Sequence, residues 1–137
     1  MSRRMSCSMT IDAVRDRTKT VTRRHVDTWK NLQAGDRLTL IEKGMGLAKG
    51  EKQVVLCDVK ITDVRIETLR SLVYEVDACS REGFPDYSPA NFARMWASSH
   101  GYGKNIHHDM LWGVECRRIE WRYLDDPLPS SAIEVAS

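Results

Sequence analysis

No two cysteines of this chain stand in C-x-x-C spacing; Cys7, Cys57, Cys79 and Cys116 are scattered singly. That argues against a zinc ribbon, a redox dithiol or a disulfide-stapled scaffold, and the four thiols are expected to be reduced, mostly buried residues of a cytoplasmic protein. Also missing is any apolar run of about 18 residues, so no membrane partner is expected and no secretory leader is read. No repeat of solenoid period is visible. Charge of one sign is lacking too: Lys plus Arg is 21 against 19 for Asp plus Glu, and the resulting +2 does not by itself mark a nucleic-acid binder.

What is present is enough for one folded domain. A chain of 137 residues with a 42% hydrophobic fraction can bury a core without metal or disulfide support. Residues 1–124 are expected to form that domain, and the compositionally distinct end, DDPLPSSAIEVAS (125–137), a flexible tail.

Met5, Cys7 and Met9 alternate with Ser6, Ser8 and Thr10 and predict a short opening strand. Thr10 is placed to cap a helix running through Arg17, with Ile11 and Val14 on one side. Ala34-Gly35-Asp36 is a turn that launches a strand carrying Leu38 and Leu40. The glycine-bearing stretch around Lys43-Gly44-Met45-Gly46 is in the wrong context for a nucleotide-phosphate loop and reads as a mobile hairpin connection. It leads to a long strand with Val55, Cys57, Val59 and Ile61 on one face. Residues 65–77 suit either extended or helical backbone; the spacing of Leu69, Leu72, Val73 and Val76 favours a helix. Ser88-Pro89 is a helix start whose inward face is Phe92, Met95, Trp96 and Ser99, ending at Gly101. In the last strand, residues 112–123, Val114 and Cys116 share one parity and Ile119, Trp121 and Tyr123 the other, which predicts a bulge near Arg117 and Arg118. The sum is a small α+β domain on a curved, mostly antiparallel sheet with helices at its ends.

RTKTVTRR, residues 17–24, holds four cations and three threonines in eight positions. Arg15, Arg17, Lys19, Arg23, Arg24 and Lys30 make this part of the chain locally basic. As a strand it would turn Thr20, Thr22 and Arg24 to one side and Val21 and Arg23 to the other. It is either an edge strand guarded by charge or the lining of a cleft.

K-T-V-T-R-R (19–24), W-x-x-L-x-x-G-D-R-L-T-L (29–40), a long hairpin, R-E-G-F (81–84) and a following helix with M-W (95–96) together resemble the ASCH domain family. That family belongs to the PUA-like group of RNA-associated barrels, and the resemblance spans about residues 5–123. It implies a PUA-like fold and, from members of known activity, amide hydrolysis of N4-acetylcytidine or ribonuclease action. In the amidohydrolase branch K-T-x-T-x-R supplies lysine, second threonine and arginine to the active site and a distant glutamate completes it. Those roles fall here on Lys19, Thr22, Arg24 and Glu82. Arg23 and His25 depart from the branch, which tends to have an apolar residue and an acid there, and residues 44–52 and 101–109 add length to its minimal form.

The implied chemistry has a physical basis. Amide hydrolysis needs a nucleophile, a proton acceptor and donors for the oxyanion. Thr22 would be the nucleophile, Lys19 the base once burial or neighbouring cations lower its pKa, Arg24 the anion or carbonyl anchor, and Glu82 a proton carrier that also holds Lys19. Thr20, Arg23, Trp29 and Trp112 are the further substrate-binding candidates, with Tyr87 and Tyr102 weaker ones; Trp96 and Trp121 read as core. Because Lys19 and Thr22 differ by three, the scheme requires Lys19 to lie before the strand's alternation begins.

His100, His107, His108 and Asp109 form a local cluster without metal-ligand spacing and read as a solvated loop overhanging the cleft. No metal and no cofactor is expected. The partner that the resemblance implies is a nucleoside or single-stranded RNA. A non-catalytic RNA-binding module is the alternative to the hydrolase, followed by a metal-independent ribonuclease using Lys19 with Tyr102 or Ser98.

Overall fold

The computed structural model describes residues 3–44 and 47–124. The segment read as a tail (125–137), like Met45 and Gly46 of the hairpin connection, lies outside the described residues. Five strands, β1 (Arg3–Ser6), β2 (Val21–His25), β3 (Arg37–Ile41), β4 (Val55–Thr68) and β5 (Glu115–Tyr123), form one sheet in the order β1-β3-β4-β5-β2. β1 runs parallel to β3, and the other three pairings are antiparallel. The sheet curls into a half-barrel, so the fold is the small curved α+β barrel expected of the sequence. β1 and β2 are its two open edges. Arg24 on β2 reaches across the gap between them, donating from Nη2 to the Ser6 carbonyl of β1 at 2.8 Å.

Two apolar clusters lie on either side of the sheet. Met5, Leu38, Leu40, Val59, Ile61, Ile119 and Trp121 fill the barrel interior. Leu69, Leu72, Phe92, Ala93, Trp96, Leu111 and Cys116 pack under the helices α2 (Ser71–Tyr74), α3 (Ala78–Glu82), α4 (Pro89–Ser99) and α5 (His108–Leu111). Among the described residues no helix is long and apolar enough to cross a membrane.

β5 explains the apparent change of apolar phase. It is buried on both faces: Ile119, Trp121 and Tyr123 face the barrel, while Cys116 and Arg118 on the opposite parity face the helical side. No bulge is needed at Arg117 and Arg118. The register shift falls instead in β4, between Ile61 and Asp63.

Other expectations are corrected at their ends. β1 stops at Ser6, and Met9, expected inside, is 68% exposed in the turn that follows. The first helix, α1 (Ile11–Arg15), receives no side-chain cap from Thr10, whose side chain is buried against Gly83. The long strand continues to Thr68, and the helix favoured for 65–77 is only the four residues of α2, with Val73 and Val76 exposed. The pairing with β5 accounts for this, since it offers residues 65–68 backbone partners that spacing alone does not reveal. α4 starts as expected: Ser88 Oγ accepts from Asn91 N at 3.1 Å and Pro89 occupies the first turn.

Candidate active site

Residues 17–20 are a bend, not a strand, and the bend is tightly held. Lys19 N donates to the Ala13 carbonyl, Thr20 N to that of Arg81, and the Lys19 carbonyl accepts from Trp121 Nε1 at 3.1 Å and from the Tyr123 hydroxyl. β2 begins only at Val21, so Lys19 precedes the alternation and its side chain turns to the same cavity as Thr22.

That cavity has a volume of about 260 Å³ and opens where β1 and β2 approach each other. Ser6, Cys7, Ser8, Met9 and Thr10 line one side, Lys19, Thr22, Arg23 and Arg24 another, and Glu82 and Phe84 a third. Phe92, Met95, Trp96, Ser99 and His100 of α4 and its C-cap complete it, so the face read as inward is the cavity wall.

Lys19 is 3% exposed. Its ammonium donates to the Val21 carbonyl at 2.9 Å and the Glu82 carbonyl at 2.5 Å, and stands 3.9 Å from Glu82 Oε1. Burial pushes its pKa below the ordinary lysine value; the Glu82 charge opposes this, and Arg24 and Arg23 add to it. Thr22 Oγ1 accepts from Arg24 Nε at 3.1 Å. Among the described residues no hydrogen bond joins Lys19 to Thr22. Burial raises the Cys7 thiol pKa despite Lys19 and Arg24, so this thiol is kept protonated beside the cations.

Glu82 is delivered by the R-E-G-F turn. Gly83 adopts φ +96°, and a Cβ there would meet Thr10 Cγ2 at 2.7 Å and Ala13 Cβ at 3.2 Å. Only glycine permits both the left-handed backbone and the close approach that sets the end of α3 against the bend before β2. Glu82 Oε1 accepts from Arg23 N at 3.2 Å and Oε2 from Arg23 Nη1 at 2.9 Å.

Four expected residues, Lys19, Thr22, Arg24 and Glu82, are therefore brought together on one cavity. Of the four further substrate-binding candidates, Arg23 also lies on the cavity, while Thr20, Trp29 and Trp112 do not. Arg23 contributes to the wall, but its guanidinium has no exposed surface and is enclosed by Glu82, Glu75 and Glu67. Thr20 Oγ1 accepts from Arg81 Nε and pins α3 to the bend. Trp29 packs against the barrel cluster with Arg3 over its ring, and Trp112 packs against the helical cluster with its Nε1 on His108 Nε2. Trp96, read as core, is buried and lines the cavity as well, its Nε1 donating to the Arg23 carbonyl.

The histidine cluster is dispersed. His107 caps α5 through Asp109 N, His108 meets Trp112, and His100 belongs to the cavity. Among the described residues no three His, Cys, Asp or Glu side chains are grouped to hold a metal ion. Arg118 is 2% exposed; its Nε donates to Glu75 and its Nη1 to Glu120, both at 2.8 Å. Opposite Arg23 in the β2–β5 register and Arg65 in the β4–β5 register, it makes a row of three guanidinium groups separated by carboxylates.

No family model and no curated protein matches the chain. A solved structure resembles it: protein EF3133 from Enterococcus faecalis V583, of family model DUF984, with a TM-score of 0.57 at 16% sequence identity, covering 94% of this chain and 84% of that one. At that identity the likeness concerns the fold alone.

Proposed function

We propose that this chain is an ASCH-type hydrolase that cleaves the amide of an acylated nucleoside, with N4-acetylcytidine as the model substrate. The observation that carries the reading is the buried Lys19, both of whose carbonyl-bound hydrogens are committed, on one cavity with Thr22, Arg24 and Glu82. Its remaining tetrahedral position holds a proton when charged and a lone pair when neutral. Depression of its pKa favours the form a general base requires.

Arg24 Nε donates to Thr22 Oγ1, so the threonine's own hydrogen must point elsewhere, and the bond stabilises developing alkoxide. As Oγ1 attacks the acyl carbon, neutral Lys19 takes that hydrogen and the carbonyl electron pair moves to oxygen. Arg24 Nη1, without a protein partner among the described residues, supplies a donor for this oxyanion. The C–N bond then breaks, the Lys19 ammonium returns the proton to the departing nitrogen, and water releases the acyl-threonine as free acid with Lys19 again the base. Glu82 steadies the ammonium between steps. The free, buried cysteines suit a reducing, cytoplasmic setting.

A second reading, an RNA-binding module, draws on a row of near-parallel rings leading away from the cavity: His100 to Trp96 at 3.9 Å, then Trp96 to Tyr102 and Tyr102 to His25, both at 6.3 Å. Incubation with N4-acetylcytidine and with mixed single-stranded RNA, read by mass, separates the readings. The hydrolase predicts cytidine and acetate, with the rate falling on the order of 100-fold or more in Lys19→Ala and in Thr22→Ala. RNA retained without turnover would replace it by the binding module, and RNA fragments by a ribonuclease.

A further inference from the structure

His100 lays its imidazole on the Trp96 indole with centroids 3.9 Å apart and planes 15° from parallel. Its Nδ1 lies 2.7 Å from the Trp96 carbonyl oxygen. A carbonyl only accepts, so Nδ1 carries the hydrogen, and in the neutral ring Nε2 is an acceptor lone pair. No hydrogen bond to Nε2 is formed by the described residues. The titratable groups around the ring are Arg24 and His25 on β2 and Glu82 on α3. Burial lowers its pKa; the Trp96 carbonyl opposes this, Arg24 and His25 reinforce it, and Glu82 counters them. The ring is accordingly neutral near pH 7.

The rest of the charged wall offers the reverse chemistry. Arg24 is a donor, Lys19 donates when charged and when neutral is engaged in taking the Thr22 hydrogen, and the Glu82 carboxylate accepts from Arg23. A ligand edge that presents an N–H therefore finds its complement at His100 Nε2, whereas an edge that presents a carbonyl meets a second lone pair.

We infer that His100 determines the specificity of the cavity: Nε2 accepts a hydrogen bond from the ligand, which selects planar rings bearing an amide or amino N–H over rings with an oxygen at that edge. The inference rests on the acylated-nucleoside reading, in which the amide N–H is the donor concerned. The locked ring makes it a discriminating acceptor, since its orientation is fixed by the Trp96 stack and carbonyl before a ligand arrives.

The test compares N4-acetylcytidine with its N4-methyl derivative, which keeps the ring and acyl group but lacks the N–H. Rapid-mixing titration of the wild-type protein, read from tryptophan fluorescence before turnover, is expected to give about tenfold or greater preference for the N–H compound. In His100→Phe, which keeps an aromatic ring over Trp96, the preference disappears; in His100→Gln, whose amide oxygen can replace Nε2, part of it returns. As a readout that needs no variant, wild-type affinity for the N–H compound falls as the pH drops through the His100 pKa, where Nε2 becomes a donor. The ratio to the methylated compound cancels pH effects that act on both ligands alike. A preference that survives in His100→Phe, or a ratio flat with pH, overturns this inference while leaving the hydrolase reading standing. A wild-type protein that binds neither compound overturns both.

Discussion

Lys19 and Glu82 are coupled in a way that a pH profile can read. Lys19 works as a base only when neutral, so kcat/KM should rise with pH through its depressed pKa and then level off. Glu82 is the main charge holding that pKa up against burial. Glu82→Gln removes the charge and keeps one of the two oxygen acceptors that Arg23 uses, so the acidic limb of the profile should move to lower pH, measurable on whatever activity remains. A limb that stays in place or moves up would exclude Lys19 as the titrating base. At this scale the sequence was legible where function is written into adjacent residues: K-T-V-T-R-R carries three of the four converging groups, and the spacing of three between Lys19 and Thr22 already demanded the bend that is found. The enclosure of the Arg23 guanidinium was not legible because it is built by residues tens of positions away, and that of His100 because it depends on the fold of the α4 end. Arg23 meets carboxylates from β4, α3 and the segment after α2; His100 adjoins the glycine-bearing loop at Gly101 and is drawn inward by Trp96, four residues before it.

The turn at the end of α3 converts a helix of five residues into a site element. Gly83→Ala combines a left-handed backbone with a contact of 2.7 Å to Thr10, and should cost roughly 2 kcal/mol or more in urea unfolding. Because relief requires α3 to back away from the bend before β2, turnover should fall by more than the loss of folded protein explains. Ser88→Ala is the control: loss of the α4 cap should cost about 1 kcal/mol without altering kcat per folded molecule. Equal losses of activity in the two variants would deny the turn its special role. α4 was legible because its cap, first-turn proline and apolar face agree. α3 and α5 were not, since helices of five and four residues carry too little periodicity to register. β5 misled because two buried faces, each apolar at only one end, imitate one face that switches sides.

Across the whole molecule, the guanidinium–carboxylate row on the helical side of the sheet joins β2, β4, β5 and α3. Burial works against ionising Glu67, Glu75 and Glu120, but bonds from Ser71, Arg65 and Arg118 and the charges of Arg23, Arg118 and Arg81 outweigh it, holding all three below the ordinary 4.5. Folded pKa values lower than unfolded ones mean that the unfolded chain binds more protons, so this stabilisation is complete above about pH 4.5 and is lost as pH falls through the folded values. Arg118→Met should lower stability by about 2–4 kcal/mol at pH 7, because half-buried Glu75 is left with Arg23 but without Arg118. The deficit should shrink in acid, which chemical denaturation at several pH values would measure; a deficit independent of pH would assign the loss to packing. The architecture was legible from alternation and turns, whereas the parallel β1–β3 pairing was not, because it joins segments that no local pattern connects. β1 and β2 are near neighbours in the chain yet occupy opposite edges of the sheet, and β3, β4 and β5 between them form a consecutive meander. The order of assembly follows. The meander needs neither edge in order to pair, but the cavity needs both, joined by Arg24. Secondary structure therefore counts every molecule whose middle has formed, and the chemistry counts only those that have finished folding.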